Sequence, residues 1–363
     1  MNNDFLRYKS TFLTFALLLG YTYIHTQLTG TLTDVTLQNL FDFSARLPFG
    51  QRLLTPSIAH FFSYFLPFSI DELFFIIEWL FISLSYWALF HLLSIALPPK
   101  QARLMSWLFF LLLPLISVIN YRYTIDGEAT FFYPYDSTSL FFMIIGFLFC
   151  MQSRWIYFIP LLFAATINRE SSILLVLMLP ALHWQNLRSI RIPFFLAVIT
   201  YTLARLLVIS LINRTHGQIV EWYFHGSQHT NFETNLMWLF NQQHILLFLF
   251  CFAGLPLFWF AFYDYIPLQY RPLKYVMLFY FLSLSLVGIF PEARIFTEIA
   301  VLLYLPTCIA ISRWLSDLMP YETAVKNLYY YVDRYAVLVV LALLVVFHQP
   351  LNNWVIWLSH HSP

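Results

Sequence analysis

The sequence predicts an all-α protein, a polytopic transmembrane bundle of about nine spanning helices with one re-entrant or broken helix pair and a juxtamembrane helix. Of its 363 residues, 60% are apolar and only 10% are charged, whereas soluble domains carry about 25% charged residues. The mean hydropathy is +0.70. Apolar runs recur along the chain, and many are long enough to cross ~30 Å of hydrocarbon as helices.

Composition also excludes several classes of protein. The 40 Phe, 23 Tyr and 11 Trp residues are too many for the single core of a soluble domain of this size. A net charge of +1 argues against nucleic-acid binding, which requires a basic patch. Cys150, Cys251 and Cys308 all lie in apolar runs, so we expect neither disulfide bonds nor a cysteine-rich metal cluster.

Nine apolar segments have the length expected of a crossing. The first follows a short basic stretch, but no cleavage-site pattern comes after it, so we interpret it as a retained anchor helix. The predicted spans are 10–27, 72–97, 104–119, 137–152, 193–212, 244–263, 275–290, 297–312 and 335–348.

Two further apolar stretches require a different interpretation. The first outer loop, 28–71, contains the Pro-broken segment 53–68, whose length suits a helix lying along the membrane surface. The segment 155–183 is too long for one ordinary span and carries Asn168, Arg169 and Glu170 in its middle. Because three polar residues facing lipid are costly, this segment is either a single crossing or a re-entrant pair with the triplet at its tip.

The distribution of basic residues decides between these alternatives, since cytoplasmic loops carry the excess of Lys and Arg. With a re-entrant pair, 12 of the 19 basic residues are cytoplasmic and six are outside, whereas a single crossing leaves only seven inside against ten outside. We therefore predict the re-entrant pair. The same topology places 12 of the 18 acidic residues outside, and residues 1–363 form one transmembrane domain.

The first outer loop contains Asp34, Asp42, Arg46 and Arg52. A carboxylate at a membrane surface can act as a general base, and neighbouring arginines can clamp a phosphate. We predict Asp34 or Asp42 as the catalytic base, and the two arginines as substrate-binding residues. The alternative is an ordinary solvated loop whose charges have no role.

The second outer loop combines the acidic residues Asp126, Glu128 and Asp136 with several tyrosines, including Tyr135. Aromatic faces and acidic groups together are suited to binding a sugar, because the ring stacks while its hydroxyls need acceptors. We predict these four residues as substrate-binding. Tyrosines at a membrane edge also form ordinary aromatic belts.

Two more polar groups belong to the predicted substrate site. The first lies at predicted membrane depth, where irregular polar backbone is tolerated only if it is buried in protein or lines a wet cavity, so Asn168, Arg169 and Glu170 are predicted to face the substrate. Glu292 and Arg294 open the 297–312 span and are predicted to do the same. The alternatives are an internal ion pair that locks the bundle, and acidic residues that merely favour a helix amino terminus.

Two minor features leave questions open. Arg205, inside the 193–212 span, needs a partner, for which Glu78 is one candidate. The third outer loop carries Glu221, His225, His229 and Glu233 at intervals of four, a spacing that would align metal ligands on one helix face. Gly226 and Ser227 interrupt that helix. We predict no metal site, and leave a divalent cation open as a cofactor.

The order of these features resembles the GT-C superfamily of membrane glycosyltransferases: a cytoplasmic amino terminus, a first helix, a long acidic outer loop, a membrane-hugging segment and eight or more further helices. The resemblance implies a polyprenyl-phosphate-linked sugar donor and an outer-loop acid as base, here Asp34 or Asp42. The chain departs from the superfamily because its first loop lacks an adjacent acidic pair and it has no large soluble outer domain. Four segments are also similar to those of uncharacterised bacterial integral membrane proteins, which assigns no activity: 46–56, 133–136, 168–170 and 292–294.

The expected function is therefore transfer of a sugar from a polyprenyl-phosphate donor to a hydroxyl acceptor at the outer face of the membrane. The expected partners are membrane lipid and the lipid-linked sugar, not nucleic acid. The resemblance implies a bacterial inner membrane. Two alternatives remain from the residues alone: a transporter or lipid flippase with a polar site near the midplane, and a non-catalytic membrane scaffold.

Overall fold

The structure, a computed structural model, describes residues 2–119, 121, 131–212, 216–223, 227–240, 244–321 and 328–361. Helices account for 76% of the described residues, which form no β-strand. The predicted all-α fold is thus confirmed.

The described residues contain sixteen α-helices, which are numbered in chain order. They are α1 (Asn2–Gln27), α2 (Leu37–Phe41), α3 (Leu54–Ser63), α4 (Ile70–Leu93), α5 (Pro99–Ser117), α6 (Pro134–Met151), α7 (Trp155–Asn168), α8 (Ile173–Leu182), α9 (Arg191–Leu211), α10 (Asn231–Phe240), α11 (His244–Phe250), α12 (Leu255–Ala261), α13 (Leu273–Val287), α14 (Thr297–Leu315), α15 (Leu328–Val346) and α16 (His348–His361).

Four of these helices are long and apolar enough to cross a membrane: α4, α6, α9 and α14 with the short 3-10 turn before it. Two bent pairs, α11 with α12 and α15 with α16, raise the number to six if each pair is one span. Such helices are those of an integral membrane protein. All nine predicted spans lie largely in helices, but the count of nine crossings is not confirmed, because α13, for example, has only 15 residues.

The predicted span 244–263 illustrates the difference. It consists of two seven-residue helices, α11 and α12, which meet at 86°. Gly254 lies at the break with a φ of 72°, in the left-handed region that glycine adopts without a steric penalty. Hydropathy alone does not register such a bend, since the residues on both sides of it are apolar.

The segment 155–183 forms two helices, α7 and α8, separated by an irregular turn at Arg169 and a short 3-10 helix. At the open end of the pair, the rings of Trp155 and His183 lie 5.8 Å apart. The start of α7 and the end of α8 are therefore neighbours, and the polar triplet that begins at Asn168 lies at the closed tip of a helical hairpin.

Helices α6 and α14 occupy the centre of the bundle and are almost entirely buried. Helix α9 lies at the periphery and exposes large apolar side chains such as Phe195 and Leu206, as expected of a surface that faces lipid. We call the end of the bundle at which α4, α6 and α14 begin the cluster end. The loop after α1 and the hairpin tip lie at this end, because both contact the start of α6.

Candidate functional site

Asp136 is the centre of the charged groups at the cluster end. It lies in the first turn of α6, which has a proline at its start, and a carboxylate is favoured there by the helix dipole. Its two oxygens accept from two different arginines: Oδ1 from Arg169 Nη1 at 2.8 Å and Oδ2 from Arg294 Nη1 at 2.7 Å. All three residues are less than a tenth exposed.

The local backbone conformation positions both arginines next to Asp136. Arg169 has an extended conformation, with φ −160° and ψ 142°, where α7 ends and the 3-10 turn begins. Arg294 lies in the four-residue 3-10 turn that precedes α14. Each guanidinium thus comes from an interruption between helices, where the backbone direction changes.

A buried amide fastens the hairpin tip to α6. Asn168 Nδ2 donates to the carbonyl of Tyr135 at 3.0 Å and to Ser139 Oγ at 2.9 Å. Thr55, at the start of α3, donates to Asn168 Oδ1 at 2.7 Å. Because Asn168 is fully buried, these bonds satisfy its amide and fix the position of the next residue, Arg169.

Further carboxylates surround the two arginines. Glu298 Oε1 lies 3.3 Å from Arg169 Nη1 and accepts from Ser171 Oγ at 2.9 Å. Glu292 Oε2 accepts from Arg294 Nη2 at 2.9 Å. Glu298 is 1% exposed, whereas the side chain of Glu292 is 22% exposed, so one carboxylate belongs to the interior and the other to the rim.

Arg52 approaches the same place from the first loop. Its guanidinium lies 4.4 Å from the centre of the Tyr135 ring, and its Nη2 lies 3.2 Å from Glu170 Oε1. The rings of Tyr135 and Tyr133 are stacked 5.2 Å apart, and Arg294 lies 4.9 Å from the Tyr133 ring. Two arginines thus enclose a pair of tyrosines, an arrangement stabilised by cation–π attraction.

Tyr133 precedes the first residue of α6. Burial raises the pKa of its phenol well above the usual value, Tyr135 adds to the rise, and Arg294 opposes it. The hydroxyl group therefore stays protonated and neutral at physiological pH.

We call the seven charged side chains of this region the arginine cluster. Three carry positive charge and four carry negative charge, so the net formal charge is −1. The arginine cluster consists of Arg52, Arg169 and Arg294 with Asp136, Glu170, Glu292 and Glu298.

Several buried atoms of the cluster lack a hydrogen-bond partner within the described ranges. They include the Nε–H groups of Arg52, Arg169 and Arg294, and the acceptor Oε2 of Glu298. A buried donor left unsatisfied costs about 1–3 kcal/mol. A cavity of about 10 Å³ adjoins Arg169, which is space for about one water molecule.

Asp34 is linked to the arginine cluster through Arg46 and Phe49, and Asp42 does not belong to the cluster. Asp34 is exposed and is paired with Arg46, which also binds Glu221. Arg46 and Arg52 lie 5.2 Å and 5.5 Å from the same Phe49 ring, so Phe49 connects the two arginines.

Burial would lower the pKa of Arg46, but the hydrogen bonds to Glu221 and Asp34 outweigh it and raise the pKa. Asp42 ends α2 on the surface, where Gln38 Nε2 donates to it at 2.6 Å. The catalytic role of either aspartate stays a prediction.

The remaining predicted site residues are distributed as follows. Asp126 and Glu128 lie outside the described residues. The suggested pairing of Arg205 with Glu78 is wrong. Arg205 Nη2 donates to Gln51 Oε1 at 2.7 Å, while Glu78 binds His25 Nδ1 at 2.8 Å.

Glu78 also accepts from the hydroxyl of Ser137. Sequence reasoning did not identify the polar groups that hold the charged ones, such as Thr55 and Ser171. Their only signal is a hydroxyl residue within an apolar stretch, which is common in membrane helices.

The third loop shows no ligand set. Among the residues that the structure describes, no group of three or more His, Cys, Asp and Glu side chains could hold a metal ion. His229 and Glu233 pair at 3.1 Å, Glu221 binds Arg46, and His225 lies outside the described ranges.

Comparison with family models and with curated proteins identifies no relative. No family model matches the chain, and no curated protein matches it. The resemblance to the GT-C superfamily therefore rests on the order of the helices and loops and on a few short segments, and it stays a prediction.

Proposed function

We propose that the protein transfers a sugar from a polyprenyl-phosphate donor to a hydroxyl acceptor at the outer face of a membrane, and that the arginine cluster binds the donor phosphate. One observation carries the proposal. Three buried arginines, each with an Nε–H that has no acceptor among the described residues, meet at one end of a helical bundle. There Phe49 connects Arg52 to Arg46, the partner of Asp34. Guanidinium groups are the preferred donors for phosphate oxygens.

The charges of the cluster determine how phosphate would enter. Because the cluster has no surplus of positive charge, a phosphate must replace a carboxylate on at least one arginine. Glu170 and Glu292 are the candidates, since their side chains are 38% and 22% exposed and can turn into water. Asp136 and Glu298 are buried and would remain to orient the arginines, because moving them would leave charges uncompensated.

The chemistry then uses groups on both sides of Phe49. Asp34, paired with Arg46, accepts the proton of the acceptor hydroxyl as the hydroxyl oxygen attacks the anomeric carbon. The bond from that carbon to the phosphate oxygen breaks with inversion, and its electron pair leaves with polyprenyl phosphate. Arg52 and Arg294 stabilise the departing phosphate, an effect that contributes a few kcal/mol in such steps. The position of Asp34 favours it over Asp42 as the base.

The proposal includes a topology and a location. The amino terminus is cytoplasmic, the cluster end is outside, and α7 and α8 form a re-entrant pair within nine crossings of a bacterial inner membrane. Support comes from the distribution of basic residues and from the neighbouring open ends of α7 and α8.

Binding of polyprenyl phosphate to the purified full-length protein, followed by native mass spectrometry, tests the phosphate site. We expect R294Q to weaken binding, because it removes a donor, and E292Q to strengthen it, because it removes the competing carboxylate. D42N is the matched control and should not change binding. If the cluster is purely structural, E292Q should make the protein less stable and leave lipid binding unchanged.

Sugar transfer tests the reaction itself. In folded protein, D34N should abolish transfer of a radiolabelled sugar from the lipid donor, while D42N should retain it. Undiminished turnover in D34N would remove Asp34 as the base.

A second candidate, a transporter or lipid flippase, is favoured by a different observation. Glu78 lies eight residues after the start of α4, about 12 Å along the helix, and is fully buried with His25. Ionisable pairs at membrane depth are typical of transport pathways. Substrate flux into liposomes without any glycosidic product would support this candidate. A non-catalytic scaffold predicts neither flux nor retained lipid phosphate.

A further inference from the structure

A groove lies between α1, α4 and α5, on the side of the bundle away from the arginine cluster. Its volume is about 440 Å³, which is in the range of ligand-binding pockets. Ser10, Thr14 and Arg103 line one part of it, and Phe15, Leu18 and Trp79 line another. The groove is therefore amphipathic, with its polar part towards the start of α1 and α5.

The length of the groove matches one leaflet of a bilayer. From Ser10 to Leu18 the groove follows eight residues of α1, about 12 Å along the helix axis. From Phe90 to Trp79 it follows eleven residues of α4, about 16 Å. The hydrocarbon core is ~30 Å thick, so the groove extends through about half of it.

The polar part of the groove is basic. Arg103 is exposed, and its Nη1 donates to Ser10 Oγ at 3.0 Å. Lys9 and Lys100 are exposed close to these two residues in sequence. This end is the one that the distribution of basic residues places on the cytoplasmic side, where anionic lipids attract Lys and Arg.

A tryptophan lines the apolar part. The indole Nε1 of Trp79 is buried and has no hydrogen-bond partner in the described part of the chain. Its ring packs edge-on against Phe15 at 5.7 Å, five residues beyond Ser10. By contrast, the neighbouring Trp107 donates its indole N–H to Thr14 Oγ1 at 2.9 Å. Trp79 and Phe15 therefore form an apolar wall of the groove.

We propose that this groove binds one anionic phospholipid of the cytoplasmic leaflet. Its phosphate lies at Arg103, and an acyl chain packs along Phe15, Leu18 and Trp79. A phospholipid combines these features in the required order, since its acyl chains lie on the hydrocarbon side of its phosphate. The site lies away from the arginine cluster and does not depend on the proposed function.

Native mass spectrometry of the delipidated full-length protein, titrated with phosphatidylglycerol or phosphatidylcholine, tests the proposal. We expect one phosphatidylglycerol to bind more tightly than phosphatidylcholine. R103Q should bind phosphatidylglycerol about tenfold more weakly, the loss expected for a charged hydrogen bond. R191Q is the matched control, because Arg191 is another exposed arginine at the start of a helix, and it should bind like the wild type.

A second measurement locates the lipid without removing a charge. Phosphatidylglycerol with brominated acyl chains should quench the fluorescence of the wild type more than that of W79F. Equal binding of the two phospholipids, unchanged binding in R103Q, or equal quenching in W79F would each overturn the proposal. Displacement of the quencher by polyprenyl phosphate would do so as well, by identifying a different occupant.

Discussion

Replacing Asp136 by Asn tests whether the buried ion pairs hold the hairpin tip and α14 against α6. Asp136 accepts from Arg169 at 2.8 Å and from Arg294 at 2.7 Å. An asparagine at this position retains one acceptor oxygen but turns an NH₂ group towards the other arginine. Breaking a buried ion pair by removing one partner costs about 3–5 kcal/mol.

The lower end of that range applies here. Arg169 keeps Glu298 at 3.3 Å, and Arg294 keeps Glu292 at 2.9 Å, so neither arginine is left without a carboxylate. We expect D136N to lower the free energy of unfolding by about 3 kcal/mol, a change of about a hundredfold in the ratio of folded to unfolded protein.

Reversible unfolding by SDS in mixed micelles, followed by circular dichroism, measures this change. D42N provides the same chemical substitution at an exposed aspartate that accepts from Gln38, and it should leave stability nearly unchanged. If D136N proved as stable as D42N, the inference that Asp136 fastens the two arginines would be refuted.

Three more predictions follow from single residues. Y133A should lower the free energy of unfolding by about 3–5 kcal/mol, because it removes a buried ring between Tyr135 and Arg294. Y133F keeps the ring and should lower it by less than about 1 kcal/mol in the same SDS assay. G254A should lower the free energy of unfolding by about 1 kcal/mol, because the φ of 72° at this position disfavours a side chain. G20A, with open space around the residue, should be neutral or slightly stabilising. Equal effects of the two substitutions would contradict this reasoning. N168A should destabilise by about 2–4 kcal/mol, because it removes the buried amide that donates to the Tyr135 carbonyl and to Ser139 and accepts from Thr55. Thermal unfolding in detergent that matched the wild type would show that the tip is held by other contacts.

The helices themselves were largely predictable. Apolar runs of about 20 residues predict helices, since a backbone in hydrocarbon must satisfy its hydrogen bonds internally. The interruption at Asn168, Arg169 and Glu170 was predictable for the same reason: polar residues in an apolar run mark a break. The bend at Gly254 was not, because it follows from the backbone torsion angles of Ala253 and Gly254, both with positive φ, within a continuous apolar stretch.

The candidate site was predictable only in part. Asp136, Arg169 and Arg294 were each predicted as substrate-binding residues, yet their mutual contacts were not predicted. Arg294 and Asp136 are separated by 158 residues in the chain. The pairing suggested for Arg205 and Glu78 was wrong, because matching opposite charges in a sequence does not take account of which helix faces lie together.

The amino-acid sequence by itself determined two things: the lipid environment of the helices and the type of secondary structure. The reason is that apolarity is a property of each segment and needs no partner. Only the tertiary structure decided which buried charges neutralise one another and that the loop after α1, the tip of α7 and α8, and the start of α14 meet at α6. The physical reason is that a charge in a low-dielectric interior must have a partner. Many partners would serve, and the packing of the helices selects among them.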